Sequence, residues 1–240
     1  MPRSEPSGRP DAADAADLAD LTVLGPTRGG TVSRAEAAYY RIRDLVVTLE
    51  LPPGAPLHEP ELMARLDLGR TPVREALRRL ADDGLVTIWP RRGMAVATVD
   101  ARDLAGIAEV RVELEPLAAR LAAGRAGEPQ RRQAEELAGE VAQVGEDPLP
   151  LIRLDQRVHR FLYDTAANRF LAATLEEYLV LSVRLWFLGL DRVGRLEEAV
   201  GEHREVLTAV AAGDAERAAD AVREHVRAFH AAIARVLSGW

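Results

Sequence analysis

The sequence predicts a mainly α fold in two parts. An N-terminal winged helix-turn-helix carries a small β-hairpin wing, and a C-terminal all-α helical bundle follows. Two observations carry this expectation. Residues 33–99 hold three short helical patterns and then two β-rich runs around a Pro/Gly turn, which is the winged helix-turn-helix arrangement. From Ala101 onward every segment has helical period.

Residues 1–32 are rich in Pro, Gly, Ala, Asp and Ser and read as a disordered tail, with room for a short helix around Ala12–Leu21. Ala37, Tyr40, Ile42, Leu45, Val46 and Leu49 mark a helix over Ser33–Glu50 that Leu51-Pro52-Pro53-Gly54 stops. A second helix spans Glu59–Leu66, and Asp67-Leu68-Gly69 turns the chain. A third runs from Pro72 to Asp83, with Thr71 placed to cap it and Gly84 to end it. Leu85–Trp89 and Met94–Val99 form the wing around Pro90-Arg91-Arg92-Gly93. The second domain spans 101–240. Its helices are expected near 102–124, 128–145, 150–167, 169–190, 194–212 and 214–237, broken at Gly127, Asp147-Pro148, Asn168, Gly194 and Gly213-Asp214.

The composition excludes several functions. The absence of cysteine rules out disulfides, thiolate metal sites and cysteine nucleophiles. No run approaches the roughly 20 apolar residues of a membrane span, and no basic-then-apolar N-terminal segment marks secretion. A cytoplasmic protein without membrane contact is expected. The net charge of -7 argues at first against nucleic acid, but its distribution matters more. Ser33–Val99 holds 10 Arg against 9 acidic residues, whereas the chain from Asp100 holds 18 Arg against 24. The acidic excess thus lies mainly in the second domain.

In the third helix, Val73, Ala76, Leu77 and Leu80 form an inward stripe. Arg70, Arg74 and Arg78 are spaced by four and share another face, with Thr71 at the start. Guanidiniums on an exposed helix suit the major groove, where arginine forks onto guanine or clamps phosphate. Arg91, Arg92 and Gly93 at the wing tip can reach an adjacent groove or the backbone. The plain alternative is a set of solvated arginines paired with Glu75, Asp82 and Asp83.

The run Leu62-Met63-Ala64-Arg65-Leu66-Asp67-Leu68-Gly69-Arg70-Thr71-Pro72-Val73-Arg74-Glu75-Ala76-Leu77-Arg78-Arg79-Leu80, followed by Asp83-Gly84-Leu85-Val86, resembles the DNA-binding signature of the GntR family. The resemblance implies that Arg70, Thr71 and Arg74 contact double-stranded operator DNA, together with Arg91, Arg92 and Gly93. Two positions depart from the family pattern. Gly69 stands where Ser or Thr is usual, and Pro60 where some members carry a DNA-contacting Arg.

Five histidines occur in the chain. Asp155 and His159 are four apart and share a helix face with Leu151, Val158 and Leu162. His203 lies on the stripe Leu196, Val200, Leu207 and Val210, and His225 on the stripe Val222, Phe229, Ile233 and Val236. Three helices thus each aim metal-ligand types at an apolar interior, and one Asp with three His suits a divalent ion. Taken singly, each His is also a satisfied core histidine. His58 and His230 lack this context and read as surface or rim residues.

Val110-Arg111-Val112-Glu113-Leu114-Glu115, Asp155 with His159, Asn168, His203 and His225 make the second domain similar to the FCD ligand-binding domain of the FadR-type GntR branch. Six helices match its shorter, VanR-like variant. The resemblance implies that Asp155, His159, His203 and His225 bind zinc, nickel or manganese, and that the metal helps hold a small organic acid. Arg111 then either pairs with the effector carboxylate or makes an i,i+4 pair with Glu115. The expected function is a homodimeric regulator, a repressor or activator, on a near-palindromic operator. The alternatives are a regulator for which the ion itself is the signal, and a metallohydrolase, for which no general base can be named.

Overall fold

The computed structural model describes residues 12–14, 31–99, 101–189 and 196–237. They fall into two compact units that divide between Thr98 and Val99. Most of the tail and the expected break at Gly194 lie outside the described residues.

In the first unit, β1 (Ala12–Asp14) pairs antiparallel with β2 (Thr31–Ser33). This corrects the tail reading at these residues, where a helix or disorder was expected. The pairing joins segments 17 or more residues apart, which no local period reveals. Helix α1 (Arg34–Val47) starts with a reciprocal cap. The Ser33 hydroxyl accepts from the Glu36 N–H at 3.2 Å, and the Ser33 N–H donates to the Glu36 carboxylate at 2.9 Å. Helix α2 (Glu59–Leu66) ends on Asp67, which takes a left-handed conformation. Helix α3 (Arg70–Asp82) packs on α1 through Val73, Ala76, Leu77 and Leu80, each at most 2 % exposed.

The start of α3 differs from the expectation. The helix begins at Arg70, so Gly69 is the cap residue and Thr71 and Pro72 lie inside the first turn. Proline is tolerated there because the first four N–H groups have no intrahelical partner. Thr71 is therefore exposed rather than turned back as a cap. The wing strands β4 (Val86–Trp89) and β5 (Gly93–Val96) pair as expected, with Val86 opposite Val96 and Trp89 opposite Gly93. A two-residue strand, β3 (Pro56–Leu57), joins the free edge of β5. Proline lies on this edge strand, where a missing N–H is tolerated, and two residues show no alternation to detect.

The second unit holds α4 (Ala101–Arg125), α5 (Glu128–Val141), α6 (Pro148–Thr165), α7 (Arg169–Gly189), α8 (Leu196–Ala212) and α9 (Ala215–Leu237). Helix α5 stops four residues short of the expectation. No residue from 142 to 150 is buried, so no packing supports another turn. Helix α6 starts at Pro148 because the Asp147 carboxylate accepts from the Leu149 N–H at 3.3 Å. The Asn168 side chain likewise caps α7 by accepting from Phe170 and Leu171.

Helix α9 runs along α4. Both helices bury alanines: Ala118, Ala119, Ala122 and Ala123 on α4, and Ala218 and Ala219 on α9. Helix α8 packs on α5, α6 and α9, and α6 also contacts α4 and α7. Helices α4, α6, α8 and α9 therefore converge on one interior region, to which the scattered polar residues are delivered. The N-terminal unit depends on the α3 stripe. Leu77→Ala should destabilise it by about 2–5 kcal/mol, as expected for truncating a fully buried leucine. Urea unfolding followed through Trp89 fluorescence is the check.

Candidate functional site

The apolar stripe of α3 leaves Arg70, Thr71, Arg74 and Arg78 on exposed surface. The nearest acid is not one of those expected from the sequence. Arg74 Nε lies 3.3 Å from Glu59 of α2, and Arg70 Nε lies 4.0 Å from the same carboxylate. Both arginines are more than half exposed, so these contacts are weak in water. Asp83 is occupied by Tyr39, whose hydroxyl donates to it at 2.7 Å, while Arg79 lies over the Tyr39 ring at 4.1 Å. Arg91 and Arg92 are exposed at the wing tip. Arg91 and Gly93 have φ of 63° and 102°, and glycine takes the second value without the strain a Cβ would bring.

The four candidate ligands of the second unit meet. Asp155 and His159 come from α6, His203 from α8 and His225 from α9, and one donor atom from each lies within 4.8 Å of the others. None is more than 3 % exposed. His203 Nε2 is 2.9 Å from Asp155 Oδ1, and His159 Nε2 is 3.8 Å from the same oxygen. The three imidazoles pack against each other with ring centroids 4.3–5.5 Å apart.

Around this cluster stands a second layer of polar groups. Glu115 of α4 places Oε2 at 2.9 Å from His159 Nδ1, and Glu202 of α8 lies 2.9 Å from His225 Nδ1. Each carboxylate thus holds the outer nitrogen of a histidine whose other nitrogen is left for the cluster, the usual arrangement for metal-ligating imidazoles. Arg111 donates from Nε to Glu115 at 2.5 Å and from Nη1 to Ser182 at 2.8 Å. It therefore makes the i,i+4 pair anticipated as one of its two readings. Glu115 and Ser182 take two of the five N–H groups a guanidinium offers.

Burial by itself would raise the carboxyl of Glu115, but Arg111 and His159 bring it far below the ordinary range. Burial opposes ionisation of Asp155 too, and His159 and the hydrogen bond from His203 hold it ionised. His159 is raised: burial works against its charge, and Glu115 and Asp155 outweigh that. Burial and the neighbouring His225 push His203 down to about 4. Two enclosed carboxylates thus create a demand for positive charge at one point.

The donor set fits a divalent ion. Imidazole and carboxylate ligands bind zinc at about 2.0–2.2 Å, which separates neighbouring donors by about 3–4 Å. The observed spacings need only small side-chain adjustments to reach that range. Asp155, His159, His203 and His225 would hold the ion, with Glu115 and Glu202 behind them.

Two partners were not legible. Glu202 directly precedes His203 and sits off the apolar stripe of α8, so periodicity does not mark it. His230 is the larger correction. It is not a surface or rim residue but 7 % exposed, and neither ring nitrogen has a hydrogen-bond partner. Being five residues after His225, it lies off the stripe that drew attention to α9. His58 is exposed, as expected.

Comparison with known proteins agrees with this architecture. The family model described as bacterial regulatory proteins, gntR family, matches residues 34–96, and the FCD domain model matches residues 106–228. An HTH-type transcriptional regulator in an unstable DNA locus of Streptomyces ambofaciens is 35% identical over 221 residues, covering 89% of each chain. The HTH-type transcriptional repressor RspR of Escherichia coli is 28% identical and covers 90% of this chain and 93% of its own. A D-xylose utilization operon transcriptional repressor of Paenarthrobacter nicotinovorans, itself assigned as probable, is 33% identical over 83% of this chain and 90% of its own. Among solved structures, a GntR regulator from Rhodococcus sp. RHA1 matches with a TM-score of 0.65 at 27% identity, covering 84% of this chain and 98% of that one. E. coli McbR/YncC shares the fold with a TM-score of 0.74 at 24% identity, over 85% and 99% of the two chains.

The Arg111–Glu115 pair gives a direct test of the electrostatics. Glu115→Ala leaves a buried guanidinium without its carboxylate and should cost about 3–5 kcal/mol. Replacing both residues, Arg111→Met with Glu115→Leu, should cost less than the single change. Denaturant unfolding of both variants measures the difference.

Proposed function

This chain belongs to the gntR family of bacterial regulatory proteins and carries an FCD domain, and from that premise we propose a repressor whose grip on its operator is set by a small organic acid bound at a metal centre. The coarser part of this statement follows from the family: the protein is a DNA-binding transcriptional regulator, not an enzyme. The observation that carries the finer part is the convergence of Asp155, His159, His203 and His225 in a buried interior, with the Arg111–Glu115 pair behind them.

A divalent ion such as zinc, nickel or manganese supplies, when bound, a positive centre that accepts a carboxylate oxygen. The protein's own groups do the rest. Asp155 and the three histidines hold the ion, Glu115 and Glu202 orient His159 and His225, and burial keeps competing water out. Arg111 offers its remaining N–H groups to the acid. On the DNA side, Arg70, Thr71, Arg74 and Arg78 enter the major groove, and Arg91, Arg92 and Gly93 at the wing tip reach the adjoining groove or backbone. The protein acts as a homodimer in the cytoplasm, on two half-sites of a near-palindromic operator. Two of the relatives are named repressors, which favours repression over activation.

Operator affinity responds to the acid only as far as the acid binds one conformational state better than another, typically by about 1–3 kcal/mol. Purified full-length protein should contain about one divalent ion per chain, following the single four-ligand cluster. His203→Ala, His225→Ala and Asp155→Asn should each lower that content, measured by elemental analysis. An ion-free native protein whose melting temperature ignores added zinc, nickel and manganese would sink the metal centre. Operator binding by fluorescence anisotropy at fixed salt separates the two regulatory readings. If the ion alone is the signal, metal shifts the affinity and acids add nothing. Arg74→Ala should weaken specific binding by about 1–3 kcal/mol, the worth of one bidentate base contact, with the fold retained.

A further inference from the structure

Buried polar groups in folded proteins almost always have a hydrogen-bond partner. His230 departs from this completely. Its side chain is 7 % exposed, and both Nδ1 and Nε2 lie buried with no partner. Among the described residues, other buried side chains of this unit leave at most one atom so, as Gln156 does at Oε1 and His203 at Nδ1 while Nε2 of each is bonded.

The surroundings of His230 connect it to the metal cluster. It follows His225 on α9 and lies within electrostatic reach of Arg111, Glu115 and His225. Its ring meets the Phe229 ring edge-on at 4.9 Å, and the Arg111 guanidinium carbon lies 5.5 Å from the centre of that same ring. Trp186 packs on Phe229 with ring centroids 4.9 Å apart. Burial, with Arg111 next, pushes the His230 pKa down to about 3. The ring is therefore neutral and offers one donor and one acceptor.

Building on the organic-acid reading above, we infer that His230 is a specificity residue of the effector site, and that the acid taken there carries a second oxygen-bearing group, beyond the carboxylate at the metal, which His230 hydrogen-bonds. A simple aliphatic acid fills the metal and Arg111 end of the site but leaves His230 unsatisfied. A hydroxy acid or a diacid satisfies both ends. Sites that use buried hydrogen-bonding groups reject analogues lacking the matching group, because those groups are then left unpaired.

Three acids on one three-carbon skeleton test this: propionate, 3-hydroxypropionate and malonate. Each is titrated calorimetrically into the zinc-loaded full chain. Wild type should bind 3-hydroxypropionate or malonate about fivefold or more tighter than propionate, the worth of roughly one hydrogen bond. His230→Phe should abolish that preference and leave propionate affinity and zinc content unchanged. His230→Asn retains a donor and an acceptor and should keep part of the preference. It also serves as the comparison if the phenylalanine variant does not fold. Equal affinity of wild type for all three acids overturns the inference, as does a preference that survives in both variants. In those outcomes the metal-bound acid site itself stands. If none of the acids binds wild type with zinc present, the organic-acid reading falls as well.

Discussion

Enclosing a carboxylate in a helical interior is tolerable only where positive charge is enclosed with it. Among its described residues the second unit encloses two, Glu115 and Asp155, at 1 % and 3 % exposure. Their neighbours follow from that constraint. Arg111, one turn before Glu115 on α4, satisfies one carboxylate locally. In the helix of Asp155, Arg157 pairs with Glu140 and Arg160 with Glu176, and Asp155 instead draws His203 from α8. His159 stands between the two carboxylates, and against the effect of burial both raise its pKa. The packing of α4, α6, α8 and α9 is the solution that brings these side chains together. A divalent cation answers the same demand more strongly than a proton does, and that is why the cluster suits a metal.

The first unit solves a different problem with the same residue type. Arginines on α3 have to stay in water and still be aimed. The apolar stripe fixes the helix on α1, and Glu59 provides a weak, reversible partner for Arg70 and Arg74. A weak partner suits residues that exchange it for phosphate or a base. Tight pairing would have to be broken for every binding event. The acidic excess lies mainly in the other unit; residues 33–99 are close to neutral, so any positive character of the proposed DNA-reading helix comes from where its arginines are placed.

Much of this was legible in the sequence because it rests on local periodicity. The six helices of the second unit, α2 and the wing strands are visible as period and punctuation, with the larger differences at the end of α5 and the start of α3. The four candidate ligands were found because each lies on an apolar stripe, so burial could be inferred one helix at a time. What was missed depends on neighbours in space. Glu202 is off the stripe of α8 and acquires its role only when α9 brings His225 beside it. His230 reads as a rim residue in one dimension and is buried by the helices around α9. The start of α3 was placed two residues late because Thr71 and Pro72 have the right chemistry for a start signal, whereas Gly69 caps with no side chain. The pairing of β1 with β2 and the addition of β3 are contacts between short segments that carry no pattern of their own.

The alanine seam between α4 and α9 sets how this unit can respond to anything it binds. Alanine has no side-chain rotamers, so the seam orders at almost no side-chain entropy cost. By the same token it has no rotamers to exchange when its partner shifts. A leucine-rich contact can absorb a small displacement by repacking, but a surface of Cβ atoms in close approach transmits it. Wherever alanines of α4 and α9 meet, a shift of one helix is therefore passed to the other rather than absorbed. Arg111 and Glu115 lie on one of these helices and His225 and His230 on the other. Helices α6 and α8, by contrast, bury larger side chains such as Leu151, Val158, Val206 and Leu207, which have rotamers to exchange.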